Sequence, residues 1–150
     1  MNLWKRVRSI LGGEAKSASP RMAPPASMMA EEEPEIVVPE ISAAQLQATL
    51  LESEPPLVID IREPYEWRLV RMPGARHLPM NDVPAQLDSL PRDRAIVVLC
   101  AHGSRSYSVA AWLIEQGIEA SSLAGGISQW ASQGRVVEQG APVEPVEPVE

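Results

Sequence analysis

The central part of the chain alternates between short apolar runs and segments whose apolar residues recur at helical spacing. Leu57–Ile61 and Ala95–Leu99 are almost continuous apolar runs, which are typical of strands buried on both faces. Ser42 precedes the first helical segment and is a good N-cap residue. The pattern predicts strands at 57–61, 95–99 and 118–123, and helices at 43–51, 64–70, 83–90, 106–116 and 127–133.

This alternation predicts the fold class. Apolar strands separated by amphipathic helices indicate an α/β domain with a central parallel sheet flanked by helices on both faces. In such sheets, ligands bind just beyond the carboxyl ends of the strands. Two places meet that description, because Asp60 and Arg62 lie at the end of the first apolar run and Cys100 directly follows the second.

Composition changes outside residues 38–137, which we predict to be the folded domain. Residues 16–37 are rich in Ala, Ser, Pro, Met and Glu and have no helical or strand period, so they are predicted to be a flexible linker. Residues 138–150 end in three Pro-Val-Glu repeats. A proline at every third position excludes a helix, so we expect an extended acidic tail there.

Residues 1–15 form a basic leader with an amphipathic pattern. Apolar residues recur at helical spacing with bases between them, but the helix would be too short to be stable alone in water. Two interpretations stay open: residues 1–12 dock on an anionic membrane surface or on a partner, or the leader is frayed. Nothing in the sequence is typical of a signal peptide or a membrane span. We therefore expect a cytoplasmic protein, peripheral to the membrane if the leader docks.

Charge and composition exclude several kinds of function. The 150 residues carry a net charge of -7, which argues against nucleic acid as a partner. A single cysteine excludes a disulfide within the chain and a zinc site built from several cysteines. Because the chain also has just two histidines, we expect no metal and no cofactor.

Cys100 stands at the start of a loop suited to hold an anion. Gly103 lets the backbone turn tightly, so that loop amides point at one spot ahead of a helix. The helix dipole and Arg105 should lower the pKa of the thiol, which makes Cys100 the predicted catalytic nucleophile. The alternative is a buried cysteine that packs as a small hydrophobic residue.

Four segments resemble the motifs of the rhodanese-like family, which includes single-domain sulfurtransferases. They follow the family's order and are Asp60–Trp67, Met72–Pro79, Cys100–Ser106 and Leu123–Trp130. The resemblance covers residues 38–137 and implies a central parallel sheet flanked by helices.

The resemblance also implies sulfur transfer in two half-reactions. Cys100 would take the outer sulfur of a donor, such as thiosulfate or a persulfide, and become a persulfide itself. A thiophilic acceptor, such as cyanide, a small thiol or a protein thiol, would then remove that sulfur. The loop residues implied to bind the sulfur are Ala101, His102, Gly103, Ser104 and Arg105.

Some positions depart from the family pattern. Val70–Met72 stands where Gly-His-Ile is common, and we expect local repacking there. Family members often carry Arg or Lys after the cysteine, whereas this chain has Ala101 and His102, which disfavours thiosulfate as the donor. His102 either supplies part of that charge below about pH 6.5 or faces solvent. An ion pair of Asp60 with Arg62 either supports the loop or is purely structural.

Two other functions are compatible with this fold. One is a non-catalytic rhodanese-like binding module, which the presence of Cys100, Gly103 and Arg105 disfavours. The other is a phosphatase-like activity, whose loop resembles Cys-x5-Arg and is wide enough for a tetrahedral oxyanion. The spacing here is Cys-x4-Arg, which favours a single sulfur atom.

Overall fold

The computed structural model describes residues 35–140, and a compact unit begins at Val37. The predicted leader, residues 16–34 of the predicted linker and residues 141–150 of the predicted tail lie outside that range. The strands are β1 (Glu40–Ile41), β2 (Leu57–Asp60), β3 (Val70–Arg71), β4 (Arg76–His77), β5 (Ile96–Leu99), β6 (Ala120–Leu123) and β7 (Glu138–Gln139). The helices are α1 (Ala43–Thr49), α2 (Pro64–Leu69), α3 (Ser104–Glu115) and α4 (Gly126–Ser132), with 3-10 turns at Met80–Asp82 and Pro84–Ser89.

Five strands form one parallel sheet in the order β1-β6-β5-β2-β4, which confirms the predicted fold class. Side chains alternate across a strand, so Val97 and Leu99 of β5 face a core shared with α1 and α4. Ile96 and Val98 face the other side, where α3 packs on β5 and β6. With both faces covered, β5 is buried along its whole length.

Several predicted elements differ in type or length. The segment predicted as a helix at 83–90 is instead a 3-10 turn, in which the amide of Gln86 donates to the carbonyl of Val83. Pro84 and Pro91 lie at the two ends of this segment and confine it to a few residues. The predicted strand at 118–123 starts at Ala120 because the amide of Ile118 bonds back to the carbonyl of Leu113 and ends α3. Ser42 caps α1 as predicted.

A second, two-stranded sheet was not predicted. β3 and β7 pair antiparallel, which joins Val70–Arg71 to Glu138–Gln139. Arg71 lies over the ring of Trp67 at 5.7 Å and forms an ion pair with Glu138 at 3.2 Å. Main-chain pairing and this arginine therefore hold Glu138 and Gln139, the first two residues of the predicted extended tail, against β3.

The buried pair of Asp60 and Arg62 closes the carboxyl end of β2. Arg62 Nη2 lies 2.7 Å from Asp60 Oδ2, and both side chains are almost fully buried. The same guanidinium donates to the carbonyl oxygens of Val70, at 2.6 Å, and Glu66, at 3.3 Å. The pair thus links β2 to α2 and β3. Within residues 35–140, none of the helices is long and apolar enough to cross a membrane.

Replacing Asp60 with Ala should destabilise the fold strongly, because it leaves the buried guanidinium of Arg62 without its carboxylate. We expect the free energy of unfolding to fall by about 3–5 kcal/mol, measured by chemical denaturation. Glu138→Gln is the matched control, since Glu138 is half exposed and its ion pair should contribute less than about 1 kcal/mol. Equal losses in the two variants would contradict the assignment.

Candidate active site

Cys100 lies where the sheet ends and the loop to α3 begins. The register pairs Asp60 of β2 with Leu99 of β5. The carboxyl ends of these two strands, where the functional residues were predicted, therefore lie side by side. The side chain of Cys100 is buried, with 1% of the residue exposed. The sulfur therefore lies beneath the surface, at the amino-terminal end of the 12-residue helix α3.

The sulfur is surrounded by neutral hydrogen-bond donors. The amide of Gly103 lies 3.0 Å from Cys100 Sγ, and the hydroxyl oxygen of Ser106 lies 3.4 Å from it. Burial raises the pKa of the Cys100 thiol, but bonds from the Ser106 hydroxyl and from the amides of Ser106, Gly103 and His102 outweigh it. The pKa is consequently below its ordinary value, the direction that the sequence predicted. The donors that lower it are these hydroxyl and amide groups and not Arg105, and they stabilise the thiolate relative to that of an ordinary thiol.

The loop presents its amides to the sulfur because its carbonyl groups are bonded elsewhere. The carbonyl of Cys100 accepts from the amide of Ile127 at 2.9 Å, and that of Ala101 accepts from Ser128 at 3.1 Å. These donors belong to the first turn of α4, which must come very close to the loop. A Cβ atom at Gly126 would lie 2.4 Å from both carbonyl oxygens, so this approach requires glycine.

The other loop residues present their side chains outward. His102 and Ser104 are exposed and Ala101 is half-buried, so near the sulfur His102 contributes its main-chain amide. Gly103 has φ +105, a left-handed conformation that glycine adopts without strain, at the position where a tight turn was predicted. The structure brings the predicted residues together in one loop, while their roles toward a substrate stay predictions.

Arg105 is held in a bidentate ion pair with Glu66 of α2. Its two terminal nitrogens lie 3.1 and 3.0 Å from the two carboxylate oxygens. The hydrogen bond from Arg105 lowers the pKa of Glu66 although partial burial raises it, and the same bond raises the pKa of Arg105. The charge of the loop arginine is therefore balanced before any substrate arrives.

Asp60 and Arg62 act on the loop indirectly. Among the described residues, their side-chain bonds run to each other and to the main chain of 62, 66 and 70, not to loop 100–105. Because Arg62 holds the carbonyl of Glu66, whose carboxylate holds Arg105, the pair positions the partner of the loop cation. The pair makes no direct side-chain bond to the loop, and its role toward the site stays a prediction.

Three contributors to the site were missed in the sequence. Ser106 is fully buried beside the sulfur, Ser122 is fully buried beside Ser106, and Glu66 neutralises Arg105. The serine at position 122 could have been found from the sequence, because a hydroxyl group within a buried strand needs a hydrogen-bond partner. Within residues 35–140, no three His, Cys, Asp or Glu side chains cluster as a metal site requires.

This chain is similar in sequence to a known domain family and to several curated proteins. Residues 42–133 match the model of the rhodanese-like domain family. A sulfurtransferase of Allochromatium vinosum is 38% identical over 99 residues, which span 65% of this chain and 92% of that protein. A thiosulfate sulfurtransferase of Pseudomonas fluorescens is 36% identical over 87 residues, spanning 57% of this chain and 80% of that protein.

Solved structures show the same fold. A rhodanese-related protein from Thermoplasma volcanium superposes with a TM-score of 0.62 at 29% identity, covering 67% of this chain and 97% of the other. A rhodanese-like domain protein from Staphylococcus aureus gives a TM-score of 0.60 at 32% identity, covering 62% of this chain and 91% of the other.

Gly126→Ala should disrupt the cradle around the sulfur. Gly134→Ala is the matched control, because both glycines have positive φ (+60 and +75) but a Cβ at Gly134 would meet nothing within 4 Å. We expect Gly134→Ala to lower the free energy of unfolding by about 1–2 kcal/mol. In Gly126→Ala, the clash should lower the free energy of unfolding by about 1–3 kcal/mol more than in the control. It should also raise the pKa of Cys100. Denaturation and thiolate titration would measure both effects, and equal losses would contradict this account.

Proposed function

The chain belongs to the rhodanese-like domain family, and on that premise we propose that it is a sulfurtransferase that carries sulfane sulfur on Cys100. One observation carries this proposal: a buried sulfur receives the amide of Gly103 at 3.0 Å in a loop whose other amides converge on it. Donors arranged in this way stabilise negative charge on sulfur without needing to reorganise during the reaction. Two relatives of the chain are named as sulfurtransferases, which supports the same activity.

In the first half-reaction, the Cys100 thiolate attacks the outer sulfur of the donor. A bond forms between Sγ and that sulfur, and the bond to the rest of the donor breaks. The electron pair leaves on the donor, as sulfite from thiosulfate or as a thiolate from a persulfide. Because the pKa of Cys100 is lowered, attack should continue at pH values where an ordinary thiol is already protonated.

In the second half-reaction, an acceptor nucleophile attacks the terminal sulfur. The bond between this sulfur and Sγ breaks, and Cys100 leaves as the thiolate that the loop amides stabilise. The chain has one cysteine, so no second thiol of the same chain is available to accept the sulfur. The acceptor is therefore an external molecule, such as cyanide, a small thiol or the thiol of another protein.

The charge around the site bears on the choice of donor. Arg105 is already paired with Glu66, and the two positions directly after Cys100 are Ala101 and His102, not Arg or Lys. A dianion such as thiosulfate would gain little from a cation whose charge is balanced. This arrangement supports a persulfide of low charge as the better donor.

Incubation with a sulfane donor should add one sulfur atom to the protein. Intact mass spectrometry should show a gain of about 32 Da on the wild type, reversed by cyanide, and none on Cys100→Ser. If neither thiosulfate nor a small persulfide adds this mass to folded wild-type protein, the proposal fails and a non-catalytic binding module is favoured. Hydrolysis of an aryl phosphate that Cys100→Ser loses would instead favour the phosphatase-like activity.

Releasing Arg105 should improve the use of an anionic donor. Glu66→Gln removes the charge that balances Arg105, so we expect the KM for thiosulfate to fall about two- to fivefold, with little change for an uncharged persulfide. Glu63→Gln makes the same charge change at an exposed position of the same helix start and serves as the control. Steady-state kinetics with both donors would measure this. An equal change in both variants would show that net charge, and not the ion pair, is responsible.

A further inference from the structure

Two buried hydroxyl groups lie behind the sulfur of Cys100. Ser106 is in the first turn of α3 and Ser122 is in β6, between β1 and β5, and neither side chain is exposed. Their oxygens lie 2.7 Å apart, and Ser106 Oγ is also 3.1 Å from the carbonyl oxygen of Gly103. Ser122 Oγ is 3.5 Å from that carbonyl and makes no direct contact with the sulfur in the described structure.

The hydrogen bonds available to Ser106 differ between the two protonation states of Cys100. When Cys100 is a thiol, its S–H donates to Ser106 Oγ, and Ser106 donates its own proton to the carbonyl of Gly103. When Cys100 is a thiolate, that sulfur needs a donor, so the Ser106 proton must turn from the carbonyl to the sulfur. Ser106 has one hydroxyl proton and cannot serve both acceptors.

Ser122 is placed to make this reversal possible. Its hydroxyl can donate to Ser106 Oγ in either state, which leaves the Ser106 proton free to point at the carbonyl or at the sulfur. When Ser106 turns to the sulfur, the carbonyl of Gly103 still accepts from the main-chain amide of Tyr107 at 3.2 Å, so the single Ser122 proton can stay on Ser106. A hydroxyl that accepts one hydrogen bond becomes a stronger donor in the next, so the pair polarises in the direction of the sulfur.

We propose that Ser122 is a positioning residue that acts through Ser106 to stabilise the Cys100 thiolate. The proposal rests on the sulfurtransferase assignment for its biological meaning, because the thiolate is the form that attacks the donor. No hydroxyl group loses its proton: the thiol proton leaves to water, and the two serine hydroxyls reorient. Arg105, whose charge interacts with that of Cys100, is paired with Glu66 of α2, and changes at Ser122 alter neither residue.

The test is an ultraviolet titration of the thiolate in the full chain. The single cysteine makes the signal specific once the Cys100→Ser spectrum is subtracted. In Ser122→Ala, the ratio of thiolate to thiol at a fixed pH should fall about two- to tenfold, the effect of one weakened hydrogen bond. Ser121→Ala is the matched control, because Ser121 is next to Ser122 on the strand and points to the other face of the sheet.

A second pair of variants separates the hydroxyl from packing. Ser122→Thr and Ser122→Val add nearly the same volume, so any strain should be similar, but only threonine keeps the hydroxyl. We expect the threonine variant to retain more thiolate than the valine variant and a faster first half-reaction near neutral pH. Equal titration curves for the two, or an unchanged curve for folded Ser122→Ala, would overturn the proposal. The titration needs no sulfur donor, so its result is independent of whether Cys100 takes up sulfur.

Discussion

Two hydrogen bonds, from the first turn of α4 to the carbonyls of Cys100 and Ala101, determine which way the loop after Cys100 faces. Once these carbonyls point to α4, the amides that follow can point to the sulfur. The bonds exist only because residue 126 is glycine, since any Cβ would collide with both carbonyl oxygens. The anion cradle is therefore built jointly by the loop before α3 and the turn before α4.

The site stabilises a buried anion mainly with dipoles. The two arginines that the sequence assigned to the site, Arg105 and Arg62, each have a carboxylate partner, Glu66 and Asp60 respectively. The donors that reach the sulfur are instead neutral amides and a hydroxyl. This division suits the proposed nucleophile, because neutral donors stabilise a thiolate without binding tightly to charged products. The β3–β7 pairing and the Asp60–Arg62 pair support α2, which carries the partner of the loop arginine.

Local features of the sequence predicted much of the fold. The apolar runs that form β2 and β5 are almost continuous. Ser42 caps its helix by accepting from the amide of Gln45, which is only three residues away in the chain. Prediction failed where local pattern was weak. A two-residue strand such as β7 has no measurable period, and its partner Val70–Arg71 lies far away in the chain. At 83–90, the apolar spacing indicated an α-helix, but the flanking prolines left room for a 3-10 turn alone.

The sequence by itself determined the succession along the chain of β2, β5, β6 and the four helices. It also determined the placement of Cys100 at a strand end and the tight turn at Gly103. These depend on periodicity and on the conformational range of single residues, which are local properties. The tertiary structure decided which partner each polar group takes: Glu66 for Arg105, and Ser122 for Ser106. Those choices depend on distances of about 3 Å between atoms on different elements, and hydrophobic patterning specifies which faces meet but not atomic positions within them.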